Sequence, residues 1–206
     1  MTVEFYDCDP KALADAELVK TVFLRAAEKS GATVIDADVE SRALTAEGGE
    51  ALPRIREAFG DGVFDENGLL NRRALGNLIF GDREKRLALE GILHPMIQHR
   101  MIKKIRQAGV EDVPFVFLSV PLLFETGMDA LCDETWCLSL PVEEQIRRVM
   151  ARDDMTREEA VARIESQMPL EEKCRRASLV IRTNRPIEAT QAELAVLLRE
   201  LRRRLG

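Results

Sequence analysis

Two carboxylates that are two residues apart follow a short apolar segment near the start of the chain. Asp36 and Asp38 come directly after residues 33–35, which have the composition of a buried strand. Because ligands of open α/β sheets bind at the carboxyl ends of the strands, both side chains could face a ligand there. The alternative is a solvated turn, or a cap for a helix that begins at Val39.

Two arginines are the second group of residues that could take part in chemistry. Arg148 and Arg152 are four residues apart on a predicted helix, so their side chains can point in one direction. On the residues alone, an exposed, arginine-rich surface helix whose charge is balanced by Glu143, Glu144 and Asp153 is an open alternative to a functional site.

The elements that must position these groups are strands that alternate with helical segments. The predicted strands are residues 2–6, 33–35, 115–120, 135–140 and 179–181. The continuous apolar run of residues 115–120 is typical of a strand that is covered on both faces. The alternation of strands and helices predicts an α/β fold with a mainly parallel sheet.

Helix boundaries are marked by residues with strong local preferences. Asp9-Pro10 is typical of a helix start, with Asp9 as the N-cap, and Ser30-Gly31 is typical of its end. His94-Pro95 predicts the end of a second helix, because proline removes a backbone donor. The other predicted helical stretches are residues 39–109, 141–168 and 186–205.

Composition, net charge and cysteine spacing argue against several classes of protein. The chain has 206 residues, of which 46% are hydrophobic, and a net charge of −6, so we expect neither a nucleic acid nor a membrane as a partner. The acidic N-terminal sequence is unlike a signal peptide. The four cysteines include no CxxC pair, which favours reduced thiols in the cytoplasm over a disulfide or a zinc site. The sequence leaves the oligomeric state open.

Six short segments, taken in chain order, resemble the dephospho-coenzyme A kinase family from about Thr33 to the C-terminus. The segments are Val34-Ile35-Asp36-Ala37-Asp38, residues 70–75 with Ile79-Phe80, residues 93–97, residues 120–125, residues 152–167 and residues 177–184. The resemblance implies one three-layer, P-loop-kinase-like α/β domain. It also implies a helical substrate subdomain at about residues 39–109 and a lid at about residues 142–176.

The resemblance implies an activity as well. Kinases of this family transfer the γ-phosphate of ATP, with Mg²⁺, to the 3′-hydroxyl of dephospho-coenzyme A in the last step of coenzyme A biosynthesis. Asp38 matches the base for the ribose hydroxyl, and Asp36 matches a substrate-binding position. Arg148 and Arg152 match lid arginines that neutralise the transferred phosphoryl group.

Four further residues have roles only through this resemblance. Arg72, Arg73 and His94 match the substrate subdomain and could bind the phosphates of coenzyme A. Asn184 matches a turn near the adenine. The alternatives are a packed residue at a helix end for His94 and an ordinary turn residue for Asn184.

The phosphate loop of such a kinase is missing from the sequence. The pattern GxxxxGK[ST] requires a Gly-Lys pair, and the chain has none. Its expected place reads Tyr6-Asp7-Cys8-Asp9-Pro10, where two carboxylates oppose the phosphate that backbone N–H groups and a lysine would attract. We therefore predict impaired ATP binding. The alternative is a catalytically dead chain that folds and binds a coenzyme A-like ligand.

The N-terminal strand and helix, about residues 2–34, resemble the opening of prokaryotic S-adenosylmethionine decarboxylase in residues 3–10 and 28–34. That enzyme cleaves itself at a Glu-Ser bond. The pairs Glu40-Ser41 and Glu165-Ser166 are present, but neither precedes the His-containing segment of the decarboxylase. These features favour a chimera joined near residues 31–35, and they leave decarboxylase activity as an unfavoured third alternative.

Overall fold

The structure is a computed structural model that describes residues 23–79, 81–111 and 113–205, without the side chains of residues 152, 187 and 205. The predicted strand at residues 2–6 and the helix start at Asp9-Pro10 lie outside the described residues. So does the place where the phosphate loop was expected.

Four short strands lie in the described part of the chain. They are β1 (Thr33–Asp36), β2 (Val116–Ser119), β3 (Trp136–Ser139) and β4 (Leu179–Arg182). Each agrees with its predicted segment to within one residue at either end. β1 lies beside β2, and β3 pairs with β4 in the parallel orientation that the alternation of elements predicted.

Nine helical segments accompany these strands in the described residues. Residues 23–29 form α1. The others are α2 (Ala37–Leu44), α3 (Leu52–Phe59), α4 (Arg72–Ile79), α5 (Arg83–Val110), α6 (Val142–Asp153), α7 (Arg157–Glu165), α8 (Leu170–Arg176) and α9 (Ile187–Leu205). Short 3₁₀ turns occupy Asp61–Val63 and Met128–Leu131. None of the described helices is both long and apolar enough to cross a lipid bilayer.

The predicted end of α1 is confirmed. Gly31 has φ of 85°, the left-handed backbone that closes many helices and that glycine adopts without steric strain. The N–H of Gly31 donates to the carbonyl of Glu28, and the N–H of Ala32 donates to that of Ala27. These bonds satisfy carbonyl groups that the end of the helix leaves without helical partners.

The predicted helix end at His94-Pro95 is wrong. The helix α5 is 28 residues long and continues past Pro95 to Val110. Proline removes one helical hydrogen bond. On either side of it, Leu93, Met96 and Ile97 pack against a buried apolar cluster. The burial of these side chains offsets the missing bond, so the tertiary packing overrides the local signal.

The chain divides into two compact units, each with its own core. One unit is Asp36–Gln107, and the described part of the other is residues 23–35 and 108–205. In the second unit, the Phe23 ring meets the rings of Phe117 and Trp136 edge to face at 5.4 and 5.7 Å. Such pairs add specific geometry to apolar burial. This core draws on α1, on α9 and on strands of both sheets.

Candidate functional site

Asp36 is the N-cap of α2. Its backbone is extended, with φ of −106° and ψ of 119°, and its Oδ1 accepts a hydrogen bond from the N–H of Asp38 at 2.8 Å. The helix therefore begins at Ala37, two residues before the predicted start at Val39, because Asp36 ends β1 and caps α2 at once. The helix cap that was the alternative interpretation of these two aspartates is therefore present, and Asp36 provides it.

Asp38 lies in the first turn of α2 and is exposed. The positive end of the helix dipole favours a carboxylate at this position. The cap orders the first turn of α2, and Asp38 lies two residues after Asp36, the last residue of β1. An exposed carboxylate in this place can accept a proton or a hydrogen bond from a ligand hydroxyl.

A third acidic residue of α2, Glu40, is buried and paired. Its side chain is 2% exposed, Arg100 Nε donates to its Oε2 at 2.9 Å, and Lys104 Nζ donates to its Oε1. Burial, the largest single effect, raises the pKa of Glu40. The combined hydrogen bonds and charges of Lys104 and Arg100 outweigh burial, so the pKa is lowered from 4.5.

This buried carboxylate fastens the helix that carries Asp38. The ion pairs with Arg100 and Lys104 join α2 to α5 within the unit Asp36–Gln107, so they fix the rotation of α2 about its axis. The spacing of Ala37, Glu40 and Leu44, which are the buried residues of α2, was the sequence signal that could have identified Glu40.

Arg72 and Arg73 begin α4 and are both exposed. Arg72 Nη2 donates to Thr45 Oγ1 at 2.7 Å, and Thr45 is the C-cap of α2. At the helical rise per residue, the backbone of Thr45 lies about 10 Å from that of Asp38 along α2. The structure thus places Arg72 at the opposite end of the helix from Asp38.

His94 is half-buried inside α5. The residue that precedes it, Leu93, and the nearby Met96 and Ile97 pack against the apolar cluster of this unit. His94 therefore occupies a partly buried position inside a helix rather than at its end, and its role stays a prediction.

Arg148 is held by Glu144 one turn earlier on α6. Its Nε donates to Glu144 Oε1 at 2.8 Å, and its side chain is only 13% exposed, whereas that of Arg147 is 57% exposed. The pKa of Glu144 is lowered to about 2, first by the hydrogen bond from Arg147, against an opposing effect of burial, and then by the bond from Arg148. The side chain of Arg152 lies outside the described residues.

Of the three acidic residues expected to balance the arginines of α6, Glu144 pairs with Arg147 and Arg148, while Glu143 and Asp153 pair with arginines of α7. Besides the Glu144 pairs, Arg157 contacts Glu143 at 2.8 Å and Arg163 contacts Asp153 at 2.8 Å. Glu143, Arg157 and Arg163 are largely on the surface, where an ion pair contributes little to stability, whereas Asp153 is 15% exposed. Arg148 differs from the two surface arginines, because its burial keeps the guanidinium in one place.

Asn184 is exposed and follows β4. The residue before it, Thr183, donates to the Ser139 carbonyl through both its N–H at 2.9 Å and its Oγ1 at 3.2 Å. These bonds extend the parallel pairing of β3 and β4 by one residue. Asn184 therefore projects from the carboxyl end of the sheet, the end at which α/β folds bind ligands.

A buried ion pair joins Lys173 of α8 to the segment after β2. Lys173 is fully buried, and its Nζ lies 2.5 Å from Glu125 Oε1 and 3.4 Å from the Pro121 carbonyl. The N–H of Met168 also donates to Glu125 Oε1 at 3.0 Å. Burial raises the pKa of Glu125, against the opposing hydrogen bond from Met168.

Nothing in the sequence indicated that Lys173 and Glu125 form a buried ion pair. Lys173 stands in a run of charged residues that is typical of an exposed helix, and Glu125 contributed to the family resemblance without a role. Because a buried ammonium without its partner is strongly destabilising, this pair fixes α8 to the loop after β2.

Metal-binding clusters are not found in the part of the chain that the structure describes. No group of three or more His, Cys, Asp and Glu side chains there could hold an ion.

A family profile described as dephospho-CoA kinase matches residues 19–188. The chain belongs to the dephospho-CoA kinase family. It is similar to the dephospho-CoA kinase of Carboxydothermus hydrogenoformans, with 38% identity over 181 residues that cover 88% of both chains. It is also similar to the dephospho-CoA kinase of Bacillus cereus, with 40% identity over 166 residues, 81% of this chain and 83% of that one.

Two solved structures share the fold at near-complete coverage. TT1252 from Thermus thermophilus has a TM-score of 0.71 and 32% identity, over 98% of this chain and 97% of that one. Dephospho-CoA kinase from Campylobacter jejuni has a TM-score of 0.69 and 25% identity, over 98% of both. The P-loop-kinase-like α/β fold predicted for this dephospho-CoA kinase family member is confirmed.

The family match begins upstream of the place where the resemblance was first seen. Residues 19–32 belong to it, although they were assigned to a decarboxylase-like segment of about residues 2–34. The kinase family therefore accounts for about half of that segment. Residues 1–18 lie outside the profile match, and neither the family profile nor the similar proteins give evidence for the predicted decarboxylase-like segment or for a chimera.

Proposed function

We propose that this chain transfers the γ-phosphate of ATP to the 3′-hydroxyl of dephospho-coenzyme A. The observation that carries the proposal is the family match over residues 19–188, which includes an exposed Asp38 in the capped first turn after β1. Coenzyme A formation from dephospho-coenzyme A and MgATP, followed by mass spectrometry, tests it. Absence of product at high enzyme concentration would refute it.

Residues of α2, α4 and α5 serve the acceptor in this proposal. Asp38 accepts the proton of the ribose hydroxyl as that oxygen attacks phosphorus. Asp36 holds the first turn of α2, and the buried Glu40 pairs fix the helix against α5. Arg72, Arg73 and His94 bind the phosphates of the acceptor.

Residues of α6 and of the segment after β4 serve the donor. Arg148, held by Glu144, and Arg152 neutralise charge on the transferred phosphoryl group, and Asn184 contacts the adenine. Mg²⁺ enters with ATP as part of the substrate, because this ion keeps its waters and binds mainly through phosphate oxygens.

Weak ATP binding is part of this proposal. Each well-placed donor to a developing phosphate charge typically contributes about 2.7–4 kcal/mol, and the chain has no Gly-Lys pair to supply the lysine of such a loop. Loss of one such donor lowers the affinity or the rate by about a hundredfold or more.

The missing Gly-Lys pair favours a second candidate function, binding of a coenzyme A-like ligand without phosphoryl transfer. Titration calorimetry with dephospho-coenzyme A and, separately, with MgATP distinguishes the two. Binding of the first ligand together with absent ATP binding and absent product supports the second candidate. Tight ATP binding would contradict it.

A further inference from the structure

Two thiols from different elements are in van der Waals contact in the unit that contains α8. Cys137 is a buried residue of β3 and Cys174 is a half-buried residue of α8. Their Sγ atoms are 3.7 Å apart. A disulfide bond is about 2.05 Å long, so an approach of about 1.7 Å would join them.

The contact between these thiols is held by the elements that carry them. The residue before Cys174, Lys173, is fully buried and is paired with Glu125, so it anchors α8 at the point where the thiol emerges. On the other side, β3 is paired residue by residue with β4, and Cys137 lies opposite Val180. The two thiols therefore remain neighbours while the fold is intact.

The difference in exposure sets an order of reaction. Cys174 is half-buried and accessible to a small reagent, while Cys137 has 0% exposure. A reagent in solution reaches Cys174 first. Cys137 is then close enough to attack the sulfur of Cys174 in a second step.

We propose that Cys137 and Cys174 are a modification site that closes to an intramolecular disulfide on reaction with a low-molecular-weight disulfide such as oxidised glutathione. Cys174 thiolate attacks one sulfur of the reagent, forms a mixed disulfide and releases one thiol. Cys137 thiolate then attacks Cys174 Sγ and releases the second thiol. The reagent is reduced to two thiols, and two protons leave the protein thiols. The site does not depend on kinase activity.

The test uses a variant with only these two thiols, C8S/C132S, in native buffer with a millimolar mixture of reduced and oxidised glutathione. Intact mass after acid quenching distinguishes the bridged chain, which has lost two hydrogens, from a glutathione adduct. Because the thiols are preorganised, the bridged form should exceed the adduct by at least about tenfold. Peptide mapping of the unsubstituted chain, without any variant, should recover the same Cys137–Cys174 link.

Controls separate a built pair from chance oxidation. Adding C137S to the double variant should leave a single glutathione on Cys174, and adding C174S should leave the buried Cys137 unmodified. The proposal is overturned if the native chain yields only adducts or no change. It is equally overturned if the link appears only after denaturant is added.

Discussion

The Asp36 carboxylate accepts a hydrogen bond from the backbone N–H of Asp38 at 2.8 Å, so one candidate aspartate caps the helix that carries the other. The two residues were predicted to act as a pair on a ligand. The structure shows that Asp36 caps α2 and that Asp38 is exposed in the first turn of this helix. A catalytic role for Asp38 stays a prediction.

The cap predicts a difference between two substitutions of Asp36. Asp36→Ala should lower the free energy of unfolding by about 1 kcal/mol, because α2 loses its capping oxygen. The free energy of unfolding of Asp36→Asn should stay within roughly 0.5 kcal/mol of the wild-type value, since asparagine caps a helix equally well. Urea denaturation measures both. Equal losses in the two variants would contradict the capping role.

Arg148 and its neighbour Arg147 form a matched pair for testing the lid. Both bond to Glu144, but only Arg148 is mostly buried. Arg148→Ala should reduce kcat for coenzyme A formation by about 10²–10³-fold, as expected for loss of one preorganised electrostatic group. Arg147→Ala, as the control, should stay within about fivefold. Comparable losses of kcat in the two variants would contradict a direct role of Arg148 in phosphoryl transfer.

Glu40 predicts a pH-dependent contribution to stability. Its folded pKa lies below the unfolded value of 4.5, so the stabilisation is fully present above that value and is lost as pH falls through the folded pKa. Glu40→Gln should cost about 1–3 kcal/mol at neutral pH. The difference from wild type, measured by urea denaturation, should shrink below pH 4.5.

The matched control for Glu40 is Glu57→Gln, an exposed glutamate on α3 in the same unit. Its difference from wild type should be small at every pH. A Glu40→Gln difference that stays constant from neutral to acidic pH would contradict the ion-pair account.

The acidic segment Tyr6-Asp7-Cys8-Asp9-Pro10 predicts a charge effect on ATP binding. If it occupies the place of the phosphate loop, removing two negative charges in Asp7→Asn/Asp9→Asn should raise ATP affinity about threefold to tenfold. Titration calorimetry measures the change, with Asp15→Asn as the control. Unchanged affinity in the double variant would show that this segment does not face ATP.

The sequence was most informative for the strands. The apolar segments predicted all four described strands to within one residue at either end, and the continuous apolar runs at residues 115–120 and 135–140 correspond to the largely buried strands β2 and β3. The break predicted at His94-Pro95 failed because contacts of Leu93, Met96 and Ile97 with distant residues outweigh a local preference.

The partners in the buried charged pairs could not be predicted from sequence patterns. The helical spacing of Ala37, Glu40 and Leu44 is a signal for the burial of Glu40, whereas Lys173 looks like a surface residue, and the partners Arg100 and Glu125 lie 60 and 48 residues away along the chain. Charge and composition do not specify which opposite charges the fold will bring together. The same holds for the thiol contact between Cys137 and Cys174.

The central claim is that Asp38 serves phosphoryl transfer to dephospho-coenzyme A, and label transfer tests it most directly. Wild type, Asp38→Asn and the control Glu57→Gln are incubated with dephospho-coenzyme A and MgATP that carries ¹⁸O in its γ-phosphate. Fragment masses then locate the label. We predict labelled phosphate at the ribose 3′-position with wild type and the control, and a rate at least about 100-fold lower with Asp38→Asn. No labelled coenzyme A from wild type, or equal rates for Asp38→Asn and wild type, would contradict the account.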